Sequence, residues 1–215
     1  MLIDRYQDAI FELLNKVKNT QREAIEKVGK IVSKACVSGG KIYVANIVHG
    51  IEGDVVNRGG GPAFIQRYKE GETELKAGDV LFVSSVSGRT KKVVDLAYDS
   101  VEKGIKVIAF TSMSYATTVD AVHESGKKLH EFATAVLDNC APAAEAMLEV
   151  DGIEARYAAA SGIASAYILW SVISVAVDDM MAAGYTPGIL KSANYPGGAD
   201  YNNEFIYPHY KEFGW

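Results

Sequence analysis

The 215-residue chain is long enough for one α/β domain with a sizeable buried core, and its length demands no second one. Its composition, 48% apolar and 23% charged, is that of a soluble globular protein, and a formal charge of −5 disfavours a nucleic acid or an anionic membrane as partner. Cys36 and Cys140 end apolar runs with no CxxC or Cys/His spacing beside them, which reads as buried free thiols in a reducing cytoplasm.

The chain opens on Met1-Leu-Ile-Asp-Arg and an amphipathic pattern, which does not read as a signal peptide. Ile3, Tyr6, Ile10, Leu13, Leu14 and Val17 recur at helical spacing, and Ile25, Val28, Ile31 and Val32 continue the stripe until Ser38-Gly39-Gly40 stops it. So long a stripe is expected to serve a partner subunit as well as its own sheet. A strand follows over 41–45, then the loop Asn46-Ile47-Val48-His49-Gly50, and a helix over about 51–57. Gly59-Gly60-Gly61-Pro62 is loop punctuation, and 63–68 reads as a short strand. The strand over 79–84 runs into Ser85-Val86-Ser87-Gly88-Arg89-Thr90, and a helix over 90–103 turns Val93, Val94, Leu96, Ala97 and Val101 inward before Gly104. A third strand covers 106–110, with a second hydroxyl loop at 111–114. A fourth starts at Ala135 and ends near Asn139-Cys140; a short helix is then predicted over 143–150. The stretch from Tyr157 to Val177 holds no charge and is long enough to cross a bilayer. Its Ala, Ser and Gly content and the absence of a Lys/Arg bias at its flanks favour a core or interface helix, predicted over 157–183. The last residues are rich in Gly, Asn and aromatics and show little regular pattern.

Strand and helix alternate, so a parallel sheet with helices on both faces is expected, with ligands beyond the carboxyl ends of its strands. The loop of Ser85 to Thr90 is the strongest candidate there. Free amides at a helix start, hydroxyls from Ser85, Ser87 and Thr90, and a glycine at 88 together make a socket for a phosphate. The same residues also suit a solvated helix cap. No GxxxxGK[ST], GxGxxG or GxSxG run is present.

Ser85-Val-Ser-Gly-Arg-Thr90 matches the SxSGxT phosphate motif, and on it the chain resembles the SIS (sugar isomerase) domain family. More narrowly it is similar to single-domain bacterial phosphosugar or phosphoheptose isomerase-like proteins. The runs Thr111-Ser112, His123 to Lys128, Leu137 to Cys140, Glu149 to Gly152 and Ser192 to Asn194 align with similar runs in that group. The resemblance implies a three-layer α/β/α sandwich with a mostly parallel, flavodoxin-like sheet and a long N-terminal helix. It implies one domain over 1–215, with a helical segment at 1–37 and an aromatic tail at 192–215. The first loop departs from the family, where it usually reads Gly-Thr-Gly-His-Ser. Here Ile47 and Val48 stand where glycine-only angles are otherwise available.

The candidate ligands of a phosphosugar are Asn46, Ser85, Ser87, Gly88, Arg89, Thr90, Thr111, Ser112 and Lys127. His49 and His123 are candidates for ring opening, since imidazole moves protons near neutral pH. Glu145 and Glu149 are candidates for the base of an aldose–ketose isomerisation, a role the resemblance places on a glutamate after the fourth strand. Each carboxylate can equally be a surface group, and His49-x-x-Glu52 is too loose for a metal site. The expected function is a cytoplasmic, cofactor-free and metal-free phosphosugar isomerase. The expected assembly is a homodimer or homotetramer, with no nucleic acid or membrane as partner. The altered loop keeps open a non-catalytic sugar-phosphate sensor, and a phosphosugar lyase or etherase would use the same cradle.

Overall fold

The computed structural model describes residues 1–45 and 50–215. The opening helical stripe is two helices, α1 (Leu2–Thr20) and α2 (Arg22–Val37), separated only by Gln21. α1 buries only Leu13 and Val17, whereas α2 buries Ile25, Val28, Val32, Ala35 and Cys36. Leu2, Ile3 and Phe11 stay exposed.

The chain then lays down β1 (Ile42–Val44), α3 (Glu52–Val55), β2 (Ile65–Arg67), β3 (Val80–Ser84) and α4 (Lys91–Glu102). β4 (Lys106–Thr111), α5 (Met113–Ala116), α6 (Leu129–Phe132) and β5 (Ala135–Asp138) follow. The five strands form one parallel sheet in the order β2-β1-β3-β4-β5. The chain leaves β1 to one side and returns to β3 on the other, so the gap beyond their carboxyl ends is a topological switch point.

Period-two geometry explains the near-continuous apolar strands. Val80 and Phe82 of β3, with Ile108 and Phe110 of β4, point into one core with α2. Leu81, Val83, Val107 and Ala109 point into the other, against Val94 and Ala97 of α4 and Leu129 of α6. Each fully buried Phe, Leu or Ile stabilises the fold by about 1.5–3 kcal/mol. The three-layer α/β/α sandwich expected from the sequence is therefore the architecture found.

After β5 the structure departs from the sequence reading. The helix expected over 143–150 is instead β6 (Ala146–Val150), paired antiparallel with β7 (Ile153–Ala159). Ala, Met, Leu and Glu favour a helix here, but the Asp151-Gly152 turn, with Gly152 at φ +78°, folds the segment onto its neighbour. Tyr157 to Ala159 consequently belong to β7, and the long apolar helix α7 starts later, spanning Ser161–Ala182 and reaching past the charge-free stretch to Asp178 and Asp179. Among the described residues α7 is the one helix long and apolar enough to cross a bilayer. Its inner stripe, Ala164, Ile168, Leu169, Val172 and Ala176, packs into the same core as α2. The approach is close: a Cβ on Gly29 of α2 would fall 2.4 Å from Val175 Cγ1.

The tail is more regular than its composition suggests. α8 (Gly198–Tyr201), a π-helical turn over 202–206 and α9 (Tyr207–Phe213) run in succession. Ile206 packs on Ala63 and Leu190, and the Asn202 amide bonds both the N–H and the carbonyl of Lys191 at 2.8 Å.

Candidate functional site

Ser84 ends β3, and Ser85 N–H donates to Phe110 O of β4 at 3.1 Å, so the ladder with β4 runs one residue further before the loop leaves β3, one of the two strands that border the switch point. Gly88 N–H closes a turn onto Ser85 O at 2.9 Å, with Gly88 at φ +69°. The space beneath is filled: a Cβ on Gly88 would lie 3.4 Å from both Thr111 Oγ1 and the Ala116 methyl and 3.6 Å from His130 Nδ1. Any side chain there meets strain and crowding together.

Thr90 stands at the N-cap of α4, yet its side chain makes no capping bond. Thr90 Oγ1 meets Ser85 Oγ at 3.0 Å instead, and Thr90 N–H points to Ser85 Oγ at 3.5 Å. The first turn of α4, Lys91-Lys92-Val93, carries no acid. A twelve-residue helix thus aims uncapped amides and a positive dipole end at a space with no carboxylate in its own first turn. An entering anion can exchange the Ser85–Thr90 contact for two donated hydroxyl bonds.

That space is a cavity of about 660 Å³, lined among others by Ser85, Val86, Thr90, Lys92, Asp95, Asp99, Glu70 and Glu145. Glu145 enters from the turn between β5 and β6, and its carboxylate is bonded to the Ser161 hydroxyl at the start of α7. Ala144 and Glu145 both take left-handed backbone angles, φ 61° and 66°, which cost of order 1 kcal/mol each in a non-glycine residue.

The other sequence candidates fall at different distances from this centre. Asn46 and His49 lie outside the described residues. Thr111 and Ser112 are fully buried behind the loop: Thr111 Oγ1 donates to Val86 O at 3.1 Å, and Ser112 Oγ donates to Ala141 O at 2.6 Å. Ser112 N–H also donates to Val86 O, so both residues hold the loop from the rear. Ser87 is half-buried and Arg89 exposed beside the helix start, with no ion pair to Arg89 among the described residues. His123 is buried, with Nε2 2.9 Å from Asp95 Oδ1 and Nδ1 2.7 Å from Ser125 Oγ, and it packs among Tyr98 and Phe132. Since Ser125 N–H donates to Nδ1, Nε2 carries the proton to Asp95 in neutral His123, and the ring fastens its loop to α4. The Lys127 ammonium rests 5.4 Å over the Phe132 ring. Glu149 is exposed on the hairpin, bonded to Arg156 Nη1 at 3.0 Å, and does not line the cavity.

Asp95, His123 and Glu124 bring ligand atoms within 4.8 Å of one another. The Lys91 ammonium already bridges the two carboxylates, at 2.9 and 2.8 Å. Its hydrogen bonds hold the Asp95 and Glu124 carboxyls below their usual range and push Lys91 up. An ammonium does there what a metal would do.

The rim residues Glu70, Lys92, Asp95 and Asp99 were not foreseen. The signal was present, because Lys92, Asp95, Leu96 and Asp99 share one face of α4 at i, i+3, i+4 and i+7.

Known proteins share this fold. The SIS domain profile matches residues 54–112, which span β2, β3, the hydroxyl loop, α4 and β4. The UPF0309 protein BH3325 of Halalkalibacterium halodurans is 31% identical, over 92% of this chain and 93% of its own. The chain belongs to the UPF0309 family. Its fold is that of a phosphoheptose isomerase from Francisella tularensis, at TM-score 0.57 and 15% identity over 81% of this chain and 95% of that one. It is equally that of the sugar isomerase domain of the RpiR transcription factor from Sphaerobacter thermophilus, at TM-score 0.52 and 19% identity over 85% and 93%. This UPF0309 chain thus shares its architecture with both an enzyme and a regulator.

Proposed function

We propose that this UPF0309 protein binds a small phosphosugar, with the phosphate on Ser85, Ser87, Thr90 and the free amides of α4, and isomerises it between aldose and ketose. The observation that carries the reading is the uncapped, acid-free start of α4 at the switch point, facing a cavity that also receives Glu145. A dianion in the cradle fixes one end of the sugar and leaves the reactive carbons within the same cavity as the Glu145 carboxylate. Glu145 takes the proton from C2 of the open-chain aldose, the C–H electrons form the enediol double bond to C1, and the carbonyl electrons move to O1, which takes a proton from solvent water. O2 then gives its proton back to water as the C2 carbonyl forms, and Glu145 returns the carbon-bound proton to C1. Atoms and charge balance with no redox partner. Glu145 is favoured over Glu149 because Glu149 is exposed and engaged by Arg156. Thr111 and Ser112 brace the loop rather than touch the ligand.

Incubation in heavy water with sugar phosphates of five to seven carbons tests the reading. Deuterium is expected at C1 or C2, with Glu145→Gln abolishing incorporation while a phosphate-induced rise in melting temperature persists. A second reading is a sugar-phosphate sensor, favoured by Ile47 and Val48 in the first loop and by the regulator that shares this fold. Tight binding with no exchange across the panel selects it.

A further inference from the structure

The start of α7 carries a buried hydroxyl that the reaction above does not use. Ser161 is fully buried, and Ala160 before it supplies no side-chain cap. A hydroxyl placed there is costly unless bonded. Its Oγ donates to Glu145 Oε1. Glu145 arrives from a turn with two consecutive left-handed residues, tied by Glu145 N–H to Pro142 O and Ala146 N–H to Ala144 O, both 2.9 Å. Such a turn persists where its surroundings hold it, and it is common where a side chain must be aimed.

The platform is rigid. α7 has 22 residues, and its packing on α2 leaves no room for a Cβ at Gly29. One turn further along, Ser165 is also fully buried and meets Asn139 Nδ2 at 3.4 Å, while Asn139 Oδ1 accepts from Ala141 N–H at 3.1 Å. α7 therefore grips both ends of the 139–145 loop through two serines at i and i+4. In the sequence both look like small residues for helix packing; one of them holds the carboxylate of the site.

We infer that Ser161 is a positioning residue for Glu145: its hydroxyl and the α7 start keep the carboxylate turned into the phosphate cavity, where it meets the carbohydrate part of the ligand. The inference rests on the phosphosugar reading and deepens it. Inorganic phosphate needs only the cradle, whereas a sugar phosphate also reaches Glu145, so the two probes separate cradle from carboxylate.

Calorimetric Kd values for phosphate, and for the tightest of a panel of pentose, hexose and heptose phosphates, are measured on the full chain and its variants. Ser161→Ala is expected to leave phosphate affinity within twofold, to weaken the sugar phosphate about fivefold, and to slow deuterium exchange by a similar factor. Ser161→Thr is expected to restore both. Should Ser161→Ala not fold, Ser161→Cys keeps the volume with a weak donor and carries the same comparison. Sugar-phosphate affinity equal in wild type and variant overturns the inference and leaves the site reading intact. A wild type that takes phosphate but gains nothing from any sugar also overturns it. A wild type that binds neither probe sinks the site reading, and the inference with it.

Discussion

Both ends of the parallel sheet carry a cavity, and the larger is the less equipped. Around the amino ends of β1, β3 and β4 lies a space of about 750 Å³, lined by Lys34, Lys41, Lys76, Lys106, Asp79 and Tyr43 among others. By volume and lysines it looks like the anion site. Helix polarity argues otherwise. α2 ends there at Ser38, presenting carbonyls and the negative end of its dipole. The Asp79 carboxylate is already used, accepting from Lys41 N–H and Lys76 N–H at 2.8 Å each to tie the starts of two strands. At the carboxyl end α4 begins, and its first amides, those of Lys91 and Lys92, have no side-chain cap. In this fold the direction of the helices, more than cavity size or lysine number, decides where an anion is held.

The largest effect is expected from breaking the carboxyl-end loop. Gly88→Val puts a branched side chain at φ +69° with Thr111 and Ala116 3.4 Å from its Cβ. A loss of about 2–3 kcal/mol in urea unfolding is expected, with no residual phosphate-induced thermal shift. Normal binding in a stable Gly88→Val protein would remove the loop from the site. Ser85→Ala and Thr90→Val come next. Each should weaken phosphate roughly tenfold, about 1.4 kcal/mol for a hydrogen bond to a charged group, while stability changes little. Lys106→Gln at the other end should leave phosphate affinity alone; if it weakens binding more than Ser85→Ala does, the two ends have been assigned the wrong way round.

A third prediction separates the ends by alkaline pH. Burial pushes the Cys36 thiol up from 9.0 to about 12, and burial, with Tyr43, Cys36 and Asp79 nearby, pushes Tyr210 from 10.0 to about 12. Both groups are neutral in the folded protein and lose protons more readily when unfolded. Their contribution is complete below pH 9 and is lost between about pH 9 and 12, where the unfolded state binds fewer protons. Stability should therefore fall with a slope approaching about 1.4 kcal/mol per pH unit for each group. Urea curves at pH 8, 9.5 and 10.5 check this, and Cys36→Ala should flatten the first part of the decline. An unchanged slope in Cys36→Ala would show that the thiol is not the group titrating.

The half of the chain that forms the parallel sheet was legible because its signals are local. Apolar runs of strand length, stops at Gly39-Gly40 and Gly104, and hydroxyls after β3 each act within a few residues. The segment from 143 to 160 was not, because two local rules conflict there. Helix propensity from Ala143 to Glu149 is a sum of tenths of a kcal/mol, and the hairpin set by Asp151-Gly152 outweighs it. The site divides the same way. Ser85 and Thr90 meet within their own loop. Glu145 is held by Ser161, sixteen residues on, and the tertiary partners of His123 and Thr111 leave no mark at sequence level.

The smallest effect concerns the rim. The Lys92 ammonium pairs with Glu70 Oε2 at 2.6 Å across the cavity mouth, and that hydrogen bond raises the Lys92 pKa. Both groups are exposed, so Lys92→Gln is expected to leave the melting temperature unchanged. Its consequence is kinetic. Among the described residues that line the cavity Lys92 is the one cation, beside Glu70, Asp95, Asp99 and Glu145, and its loss makes the entrance more acidic. Association of a sugar phosphate should slow a few-fold at low ionic strength, with dissociation nearly constant, and the difference should vanish near 0.5 M salt as screening shortens to a few ångström. Stopped-flow traces at two salt concentrations read this directly. A slowing that survives high salt would mean that Lys92 touches the bound ligand itself, and the cradle would then extend one turn into α4.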